Sequence, residues 1–439
     1  MIPINEEFPM LPKRAEQLDK VRKKLQEEFY INTRSDEKEF KEKESFLLRV
    51  RRAISWLDGA QQVEKGAGKN KNISAQFIFF WISFNALYEK NLEFLDSKPE
   101  DIQHMRLIKE YFDDILATKD AKSRIKELLN NDLSQEIKLL TKNRFIRRQF
   151  RKGEKIKNPG PMPDILPEII RIRNTKKALY NVFECLYILR NQLMHGHSTL
   201  GSKLNKKQVH AGIEIMQCFL PTFIDMENSD NNSPSSKKKF KGNGDFLLRA
   251  NSWLDKAEKG LKGIGKDITT QFIFLWIGFN AIYAGDPGEN LRDEDEIKKY
   301  FQNLLDCNEA KDTIYNVIDR NILKEKIEFL ENNISLPLWN IESTEDMLCY
   351  IFQPLLALRD RLVHGFEIWD CKLKKNQLTN STKIMHTLLP VFIDIMLKIP
   401  EKEWNQWGKI RFPRVLGVRI EGEPWEETSW TLNKNRSLK

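Results

Sequence analysis

The sequence is poor in the residues that most often build metal and disulfide sites. It has only six histidines and five cysteines, an odd number without a C-x-x-C pair. We therefore expect no metal, no other cofactor and no disulfide framework, and a reducing cytoplasm as the location. The first residues lack the basic-then-apolar pattern of a signal peptide. The most apolar run, residues 76–88, is too short to span a bilayer and contains an asparagine, so no membrane partner is expected.

Charge and apolar content are both substantial. The 72 basic residues exceed the 63 acidic ones, which gives a net charge of +9. This balance suits a polyanionic partner, although lysine is spread along the whole chain. Hydrophobic residues make up 40% of the sequence, with 26 Phe and 10 Trp, enough to exclude a wholly disordered chain. A length of 439 residues predicts two or three domains.

The chain contains an internal duplication. Residues 76–88 and 271–283 agree at 10 of 13 positions, and the other matching blocks keep the same order in both copies. The matching pairs are 46–49 with 246–249, 55–58 with 252–255, 76–88 with 271–283, 189–196 with 358–365 and 220–226 with 389–395. The first copy carries 26 more residues between its blocks. We call the two copies the first and the second repeat.

Apolar residues recur at spacings of three and four in both repeats, which predicts an all-α fold of two tandem helical bundles. Residues 76–88 and 271–283 are apolar on all sides, which places each in the middle of a core. Their lone asparagines, Asn85 and Asn280, are expected to hydrogen-bond buried backbone or a neighbouring helix. The predicted organisation is an N-terminal amphipathic helical extension (1–44), a first domain (45–226) with a basic insertion near 142–164, a flexible linker (227–244), a second domain (245–400) and a short, irregular, Trp-rich C-terminal tail (401–439).

Two of the six histidines follow an arginine by five positions. The pairs are Arg190 with His195 and Arg359 with His364, at equivalent places in the two repeats. One such match would mean little, but two aligned matches are more informative. Each histidine is followed by a glycine, which is expected to end the helix and leave the histidine in its last turn. The helix dipole there favours the imidazolium form, which suits acid–base work near neutral pH.

Polar groups that share a helix face can support these histidines. Asn191 and Asp360 precede His195 and His364 by four positions. Asp360 can orient His364 or support its charge, whereas Asn191 can only hydrogen-bond. Two imidazoles and a guanidinium can carry out metal-free RNA cleavage: a base for the 2′-OH, an acid for the leaving oxygen and a cation for the phosphorane. The alternative is that these residues cap helices and pair with surface carboxylates.

These residues resemble the hallmark of the HEPN superfamily, Arg-[Asn/Asp/His]-x3-His near the end of a long helix. The resemblance extends to a group of bacterial HEPN proteins through an apolar helix, the motif itself, a following apolar segment and a Trp-Gly…Pro tail. The segments that carry it are 271–283, 189–196, 389–395 and Trp407-Gly408…Pro413. The first repeat departs from this pattern, because the linker stands where the Trp-Gly tail would be.

The resemblance implies an endoribonuclease in which two HEPN units form an internal pseudo-dimer and share one metal-independent site. The implied site residues are Arg190, Asn191, His195, Arg359, Asp360 and His364. Active members leave 2′,3′-cyclic phosphate ends and serve in toxin systems and antiviral defence, so an antitoxin or, less readily, a guide RNA is a candidate partner. Many members are instead non-catalytic modules that bind RNA or protein. Further oligomerisation is left open.

A basic segment lies within the insertion of the first repeat. Residues 142–157 hold eight Lys or Arg and one Glu, with two phenylalanines among them. Such a stripe can neutralise phosphates while the aromatic rings stack on unpaired bases. The predicted RNA-binding residues are Lys142, Arg144, Phe145, Arg147, Arg148, Phe150, Arg151 and Lys152. The alternative is a solvated basic helix without a ligand.

Overall fold

The regular structure is helical throughout the part of the chain that can be described. The computed structural model describes residues 37–64, 73–89, 100–141, 146, 174–194, 206–231, 245–259, 267–284, 292–307, 310–319, 323, 325–327, 343–367 and 375–407. No strand occurs within these ranges, which confirms the all-α prediction for them. None of the helices described has the length and apolar character needed to span a membrane.

The helices follow the two repeats in order. The first repeat contains α1 (Glu37–Glu64), α2 (Ile73–Tyr88), α3 (Glu100–Ile115), α4 (Lys119–Glu127), a π turn (Leu128–Asp132), α5 (Ser134–Thr141), α6 (Thr175–Met194) and α7 (Lys206–Asn231). The second contains α8 (Asp245–Lys259), α9 (Ile268–Tyr283), α10 (Asp293–Leu305), α11 (Ala310–Asp319), α12 (Thr344–Val363), α13 (Lys375–Lys398) and a 3-10 turn (Glu401–Trp407). Helix α1 runs across the predicted start of the first domain at residue 45.

The two uniformly apolar helices lie inside the core. Almost every side chain of α2 and all of α9 after its first residue are buried, as the sequence predicts. Asn85 donates to the carbonyl of Val363 over 2.8 Å. This bond confirms the buried hydrogen bond expected for Asn85, and it joins the central helix of one repeat to the second repeat. Asn280 is buried at the equivalent place in α9.

Each repeat places its first helix against the central helix of the other repeat. Helix α1 packs along α9, and α8 packs along α2. Equivalent aromatic pairs stand at the two crossings: the ring centroids of Trp56 and Phe274 are 5.2 Å apart, and those of Phe79 and Trp253 are 5.9 Å apart. The spatial grouping of the helices therefore differs from their order in the chain.

The closest approach within each crossing also occurs at equivalent positions. Ser83 of α2 donates to the carbonyl of Ala250 in α8 over 2.7 Å. The matching residue of α9 is Gly278, where a Cβ would lie 3.3 Å from the carbonyl oxygen of Ala53 in α1. One packing arrangement is thus used twice, with a serine in one copy and a glycine in the other.

The 3-10 turn closes over the start of α1. The Phe46 and Trp404 rings stack with centroids 5.0 Å apart. Arg49 is buried and donates to the carbonyls of Ala284, over 2.6 Å, and Trp407, over 3.0 Å. The beginning of the predicted tail is thus packed on the helices, while the rest of that tail, most of the predicted N-terminal extension and most of the predicted linker lie outside the described residues. Residues 227–231, which the sequence assigned to the linker, instead belong to the end of α7.

Candidate functional site

The second Arg-x4-His motif lies at the end of α12, as predicted. His364 caps the helix, and Gly365 follows with a φ of 67°. The Gly365 N–H donates to the Leu362 carbonyl over 3.1 Å, and the Phe366 N–H donates to the Arg361 carbonyl over 2.9 Å. This pair of bonds is the Schellman arrangement, in which glycine supplies the left-handed residue that ends a helix.

The end of α12 is seated on α2 of the first repeat. A Cβ added at Gly365 would lie 2.6 Å from the carbonyl oxygen of Ile82 and 2.9 Å from the backbone nitrogen of Ala86. Only glycine fits this approach, both because of the close backbone and because of the positive φ. The approach brings the side chain of His364 against the C-terminal end of α2.

Glu89 joins two histidines at that end. The His364 Nδ1 atom hydrogen-bonds Glu89 Oε1 over 3.2 Å and lies 3.1 Å from Oε2, and the His104 Nδ1 atom is 2.9 Å from Oε1. The two imidazole rings stack with centroids 4.8 Å apart and planes parallel to within 5°. All three side chains are buried, with exposures of 3–4%. The cluster combines His364 of the second repeat with Glu89 and His104 of the first.

The charges of this cluster are set by mutual contact. Burial acts to lower the pKa of His364, but the Glu89 carboxylate, helped by Asp360, raises that pKa above 6.5. Arg190 acts in the opposite direction on the same pKa, so its charge lies close to the imidazole. Burial acts to raise the pKa of Glu89, but His364 and His104 bring that pKa well below 4.5. The pair therefore favours an ionised Glu89 and a protonated His364.

The tautomer of His104 follows from its partners. The Tyr88 hydroxyl donates to Asn85 Oδ1 over 2.9 Å, so its oxygen is free to accept. That oxygen is 3.2 Å from His104 Nδ1, which also faces the Glu89 carboxylate. Two acceptors at one ring nitrogen require the proton to be on Nδ1. The neutral form of His104 therefore carries its lone pair on Nε2.

The two motif arginines have different surroundings. Arg359 forms ion pairs with Asp293 and, over 2.7 Å, with Asp360, and it lies 5.3 Å from the centre of the Trp276 ring. Its charge is balanced within the second repeat. Asp360, proposed from the sequence to support His364, thus contacts Arg359 directly and acts on His364 through its charge.

Arg190 has no such partner. Its guanidinium donates to Asn191 Oδ1 over 2.8 Å and lies 5.8 Å from the centre of the Tyr187 ring. It is only 6% exposed, and its Nε atom is buried without a hydrogen-bond partner. Among the described residues, no carboxylate pairs with it. A buried guanidinium without a balancing charge is costly, and it is a ready site for an anion.

Alignment of the repeats explains this difference. The segment Ile-Lys-Glu-Tyr-Phe at 108–112 matches Ile-Lys-Lys-Tyr-Phe at 297–301. This alignment places His104 opposite Asp293. The first repeat therefore has a histidine where the second has the carboxylate that holds its arginine, and Arg190 is left unpaired.

The motif-based interpretation of the sequence did not identify two residues of the cluster. Glu89 stands one position beyond the apolar block 76–88, opposite Ala284 of the second repeat, and His104 belongs to no motif. The signal that could have identified them is a difference between the repeats. At both positions the repeats differ in a titratable side chain: glutamate stands opposite alanine, and histidine stands opposite aspartate.

The cluster has the composition of a metal site, but its geometry fits hydrogen bonds better. The ligand atoms of Glu89, His104 and His364 lie within 4.8 Å of one another. However, the lone pairs of two parallel stacked imidazoles lie in separate planes and do not converge on one ion. A divalent cation would also add to the positive charge of Arg190. The arrangement is that of a carboxylate that bridges two imidazoles.

The remaining predicted residues lie outside the described ranges. These are His195 and the proposed RNA-binding residues Lys142, Arg144, Phe145, Arg147, Arg148, Phe150, Arg151 and Lys152. Of the six predicted catalytic residues, the structure brings Arg190 close to His364 and pairs Arg359 with Asp360. Comparison with protein-family models, curated proteins and solved structures finds no match to this chain.

The different surroundings of the two arginines predict that substitution of Arg359 lowers stability and that substitution of Arg190 does not. Replacing Arg359 with Met leaves Asp293 and Asp360 without their cation, so we expect the free energy of unfolding to fall by about 1–3 kcal/mol. Replacing Arg190 with Met removes an unbalanced buried charge, so we expect no loss of stability. Chemical denaturation of the two variants beside the wild type measures this difference. An equal loss in both variants would mean that Arg190 is held by a carboxylate after all.

Proposed function

We propose that this protein is a metal-independent endoribonuclease whose site is shared by its two repeats. The observation that carries the proposal is the position of His364. This histidine belongs to the second repeat, but its side chain lies among Glu89, His104 and Arg190 of the first. A protonated imidazole beside an unpaired guanidinium supplies an acid and a phosphate-binding cation at one place.

We further propose that the two repeats are HEPN units that form an internal pseudo-dimer. The support is the reciprocal packing of α1 on α9 and of α8 on α2, with equivalent contacts at both crossings. A two-fold related pair with both motifs near its interface can build one site from two half-sites. The resemblance to HEPN proteins extends the proposal to a role in antiviral defence or a toxin system.

The reaction is attack of a ribose 2′-OH on the adjacent phosphorus. His364 gives its proton to the leaving 5′ oxygen, and the raised pKa keeps it protonated for that purpose near neutral pH. Arg190 stabilises the negative charge that develops on the phosphorane oxygens. The motif assigns the base to His195. The products are a 2′,3′-cyclic phosphate and a 5′-OH end, and no water is consumed in this step.

The burial of the cluster restricts the access of RNA to its side chains. Side chains that are 3–4% exposed cannot all touch a phosphodiester while the surrounding surface stays closed. In the proposal, cleavage therefore follows an opening of the surface over the cluster, produced by RNA or by an activator. A basal rate well below that of an open ribonuclease is the expected consequence.

RNA cleavage in excess EDTA tests this function. We expect the wild type to cut tRNA or unstructured RNA and to leave cyclic phosphate ends. The double variant His195→Ala/His364→Ala should lose about 10²-fold or more of this activity, since it lacks at least the general acid His364. His210→Ala, at an exposed histidine of α7, is the matched control and should keep wild-type activity.

The design separates the proposal from contamination and from misfolding. Equal cleavage by wild type and double variant would assign the activity to another protein in the preparation. Circular dichroism and thermal unfolding of each variant show whether the fold is kept. No cleavage by the folded wild type, with and without candidate activators such as the RNA of infected cells, would overturn the proposed enzyme.

The burial of the cluster also favours a second function, a non-catalytic module that binds RNA or protein. In that case the Glu89 cluster serves only to hold the repeats together. Binding would then survive His195→Ala/His364→Ala and would be abolished by charge reversal at Arg147, Arg148 and Arg151. The same RNA, measured by fluorescence anisotropy and by gel for cleavage, distinguishes the two functions.

A further inference from the structure

We propose that His104 is the second acid–base residue of this site and acts as the general base opposite His364. The inference rests on the proposed ribonuclease function and identifies a catalytic residue that the Arg-x4-His motif does not contain. Its starting point is the Glu89 carboxylate, which binds the Nδ1 atoms of both rings. This leaves the Nε2 atom of each ring to exchange a proton with a substrate.

The cluster holds one acid and one base at the same time. Two imidazolium rings stacked 4.8 Å apart repel each other, and a single carboxylate balances only one of them. His364 is the protonated member because Glu89 and Asp360 both raise its pKa. In the proposal the base is His104, whose Nδ1 faces two acceptors and therefore carries the proton, which leaves the lone pair on Nε2.

The parallel rings suit one phosphodiester. Both rings turn Nδ1 toward Glu89, so in the proposal their two Nε2 atoms serve oxygens of one phosphate group. The nearby Arg190 guanidinium lacks a carboxylate, so an incoming phosphate provides the missing negative charge. A base, an acid and a phosphate ligand thus meet at the junction of α2, α3, α6 and α12.

The proposed step balances without a further reactant. The 2′-OH proton moves to His104 Nε2 while the 2′ oxygen forms a bond to phosphorus. The bond from phosphorus to the 5′ oxygen breaks, and that oxygen takes the proton from His364 Nε2. Glu89 stays ionised throughout and is a positioning residue, because it fixes the orientation and the tautomer of both rings.

The differences between the repeats support this specialisation. His104 stands opposite Asp293, and Glu89 stands opposite Ala284. The second repeat thus has a carboxylate that neutralises its arginine, whereas in the proposal the first repeat has the groups that serve chemistry. The site is therefore asymmetric: one working centre is built around His364, and Arg359 is a structural cation.

The test uses the full chain and two RNA substrates in excess EDTA. One substrate is an ordinary RNA oligonucleotide that is followed at one phosphodiester bond. The other is the same oligonucleotide with sulfur in place of the bridging 5′ oxygen at that bond. A thiolate leaves without protonation, so the second substrate does not need a general acid. The variants are His104→Gln, His364→Gln and Glu89→Gln, and the control is His210→Gln.

We expect His104→Gln and His364→Gln each to slow cleavage of the ordinary substrate by about 10²–10⁴-fold. The sulfur substrate should restore the rate of His364→Gln and leave His104→Gln slow. In pH profiles, His104→Gln should lose the acidic limb and His364→Gln the alkaline limb. A misfolded variant would be slow on both substrates, so the selective rescue of one variant is independent of stability.

Each of the other possible outcomes overturns a defined part of the proposal. If the wild type cuts and His104→Gln cuts equally well, while His195→Ala does not, the base is His195 and the inference fails with the ribonuclease intact. If EDTA stops the wild type and Zn²⁺ restores it, the Glu89 cluster is a metal site. If the wild type cuts neither substrate, the ribonuclease proposal falls and the inference falls with it.

Discussion

Substitution of Glu89 by Gln is expected to reverse the pH dependence that His364 gives to stability. In the wild type this contribution falls as the pH rises above 6.5; in the variant stability instead increases as the pH rises toward 6.5 from below. The variant should also lose about 3 kcal/mol of unfolding free energy at neutral pH, the low end for breaking a buried ion pair, because His364 can release its proton.

The direction of the pH dependence follows from the linkage between proton binding and folding. In the wild type the folded-state pKa of His364 is raised, so the folded protein binds the proton more tightly than the unfolded chain. That stability is fully present below the unfolded pKa and is lost as the pH rises through the folded pKa. The lowered pKa of Glu89 contributes stability that is present above 4.5 and is lost as the pH falls through the folded value. The pair is thus most stabilising between these limits.

Without the Glu89 carboxylate, the remaining influences on the pKa of His364 reverse the direction of its shift. Burial and Arg190 both act to lower its pKa, and only Asp360 opposes them. The unfolded chain then binds the proton more tightly, so stability increases as the pH rises from the lowered folded pKa to 6.5. The quantity to measure is the difference in unfolding free energy between variant and wild type at each pH. Other titrating groups cancel in that difference, among them Glu184, whose pKa burial raises to about 7.

The matched control is Glu110→Gln, an exposed carboxylate on α3 that pairs with Arg106. Its stability should stay within about 0.5 kcal/mol of the wild type at every pH. Because the chain has six histidines, NMR of labelled protein can also follow the imidazole of His364 directly. A difference curve for Glu89→Gln that is flat across pH 6.5 would show that Glu89 does not set the charge of His364.

The core and the helix end could be predicted because both depend on local rules. A segment apolar on all sides must be buried, and α2 and α9 are. A glycine after the last periodic residue ends a helix, and Gly365 does so with a positive φ. The crossing of each first helix onto the opposite repeat had no such signal, since an apolar face shows that a helix is covered but not by which partner.

The motif identified His364 and Arg190 but missed Glu89 and His104 for a physical reason. His364 and Arg190 come from copies of one motif, whereas Glu89 and His104 reach them through the packing of α12 on α2. Contacts between residues 275 positions apart leave no spacing to detect. The pairing of Arg359 with Asp293 was hidden in the same way, and it shows that this arginine already has a carboxylate partner.

The substitution Gly365→Ala should be among the most damaging single changes in the described part of the chain. Alanine in a left-handed conformation costs about 1–2 kcal/mol. Its Cβ would also meet the Ile82 carbonyl oxygen at 2.6 Å and the Ala86 nitrogen at 2.9 Å. These are backbone atoms of a buried helix and cannot turn aside, so overpacking adds about 1–3 kcal/mol. We expect thermal and chemical unfolding to show the sum of both effects.

Two companion variants separate the contributions. Gly278→Ala is the control, because its nearest neighbour is a movable Leu389 methyl group at 3.1 Å and the first repeat carries Ser83 at that place. It should change stability by less than about 1 kcal/mol. Gly365→Asn tolerates the positive φ but keeps the Cβ, so damage equal to that of alanine would assign the loss to the close approach.

The close approach of α12 to α2 also brings His364 to Glu89, so the folded fraction of either Gly365 variant should show the His364 pKa returning toward its ordinary value. A Gly365→Ala protein with wild-type stability and an unchanged His364 titration would mean that α12 does not end on α2.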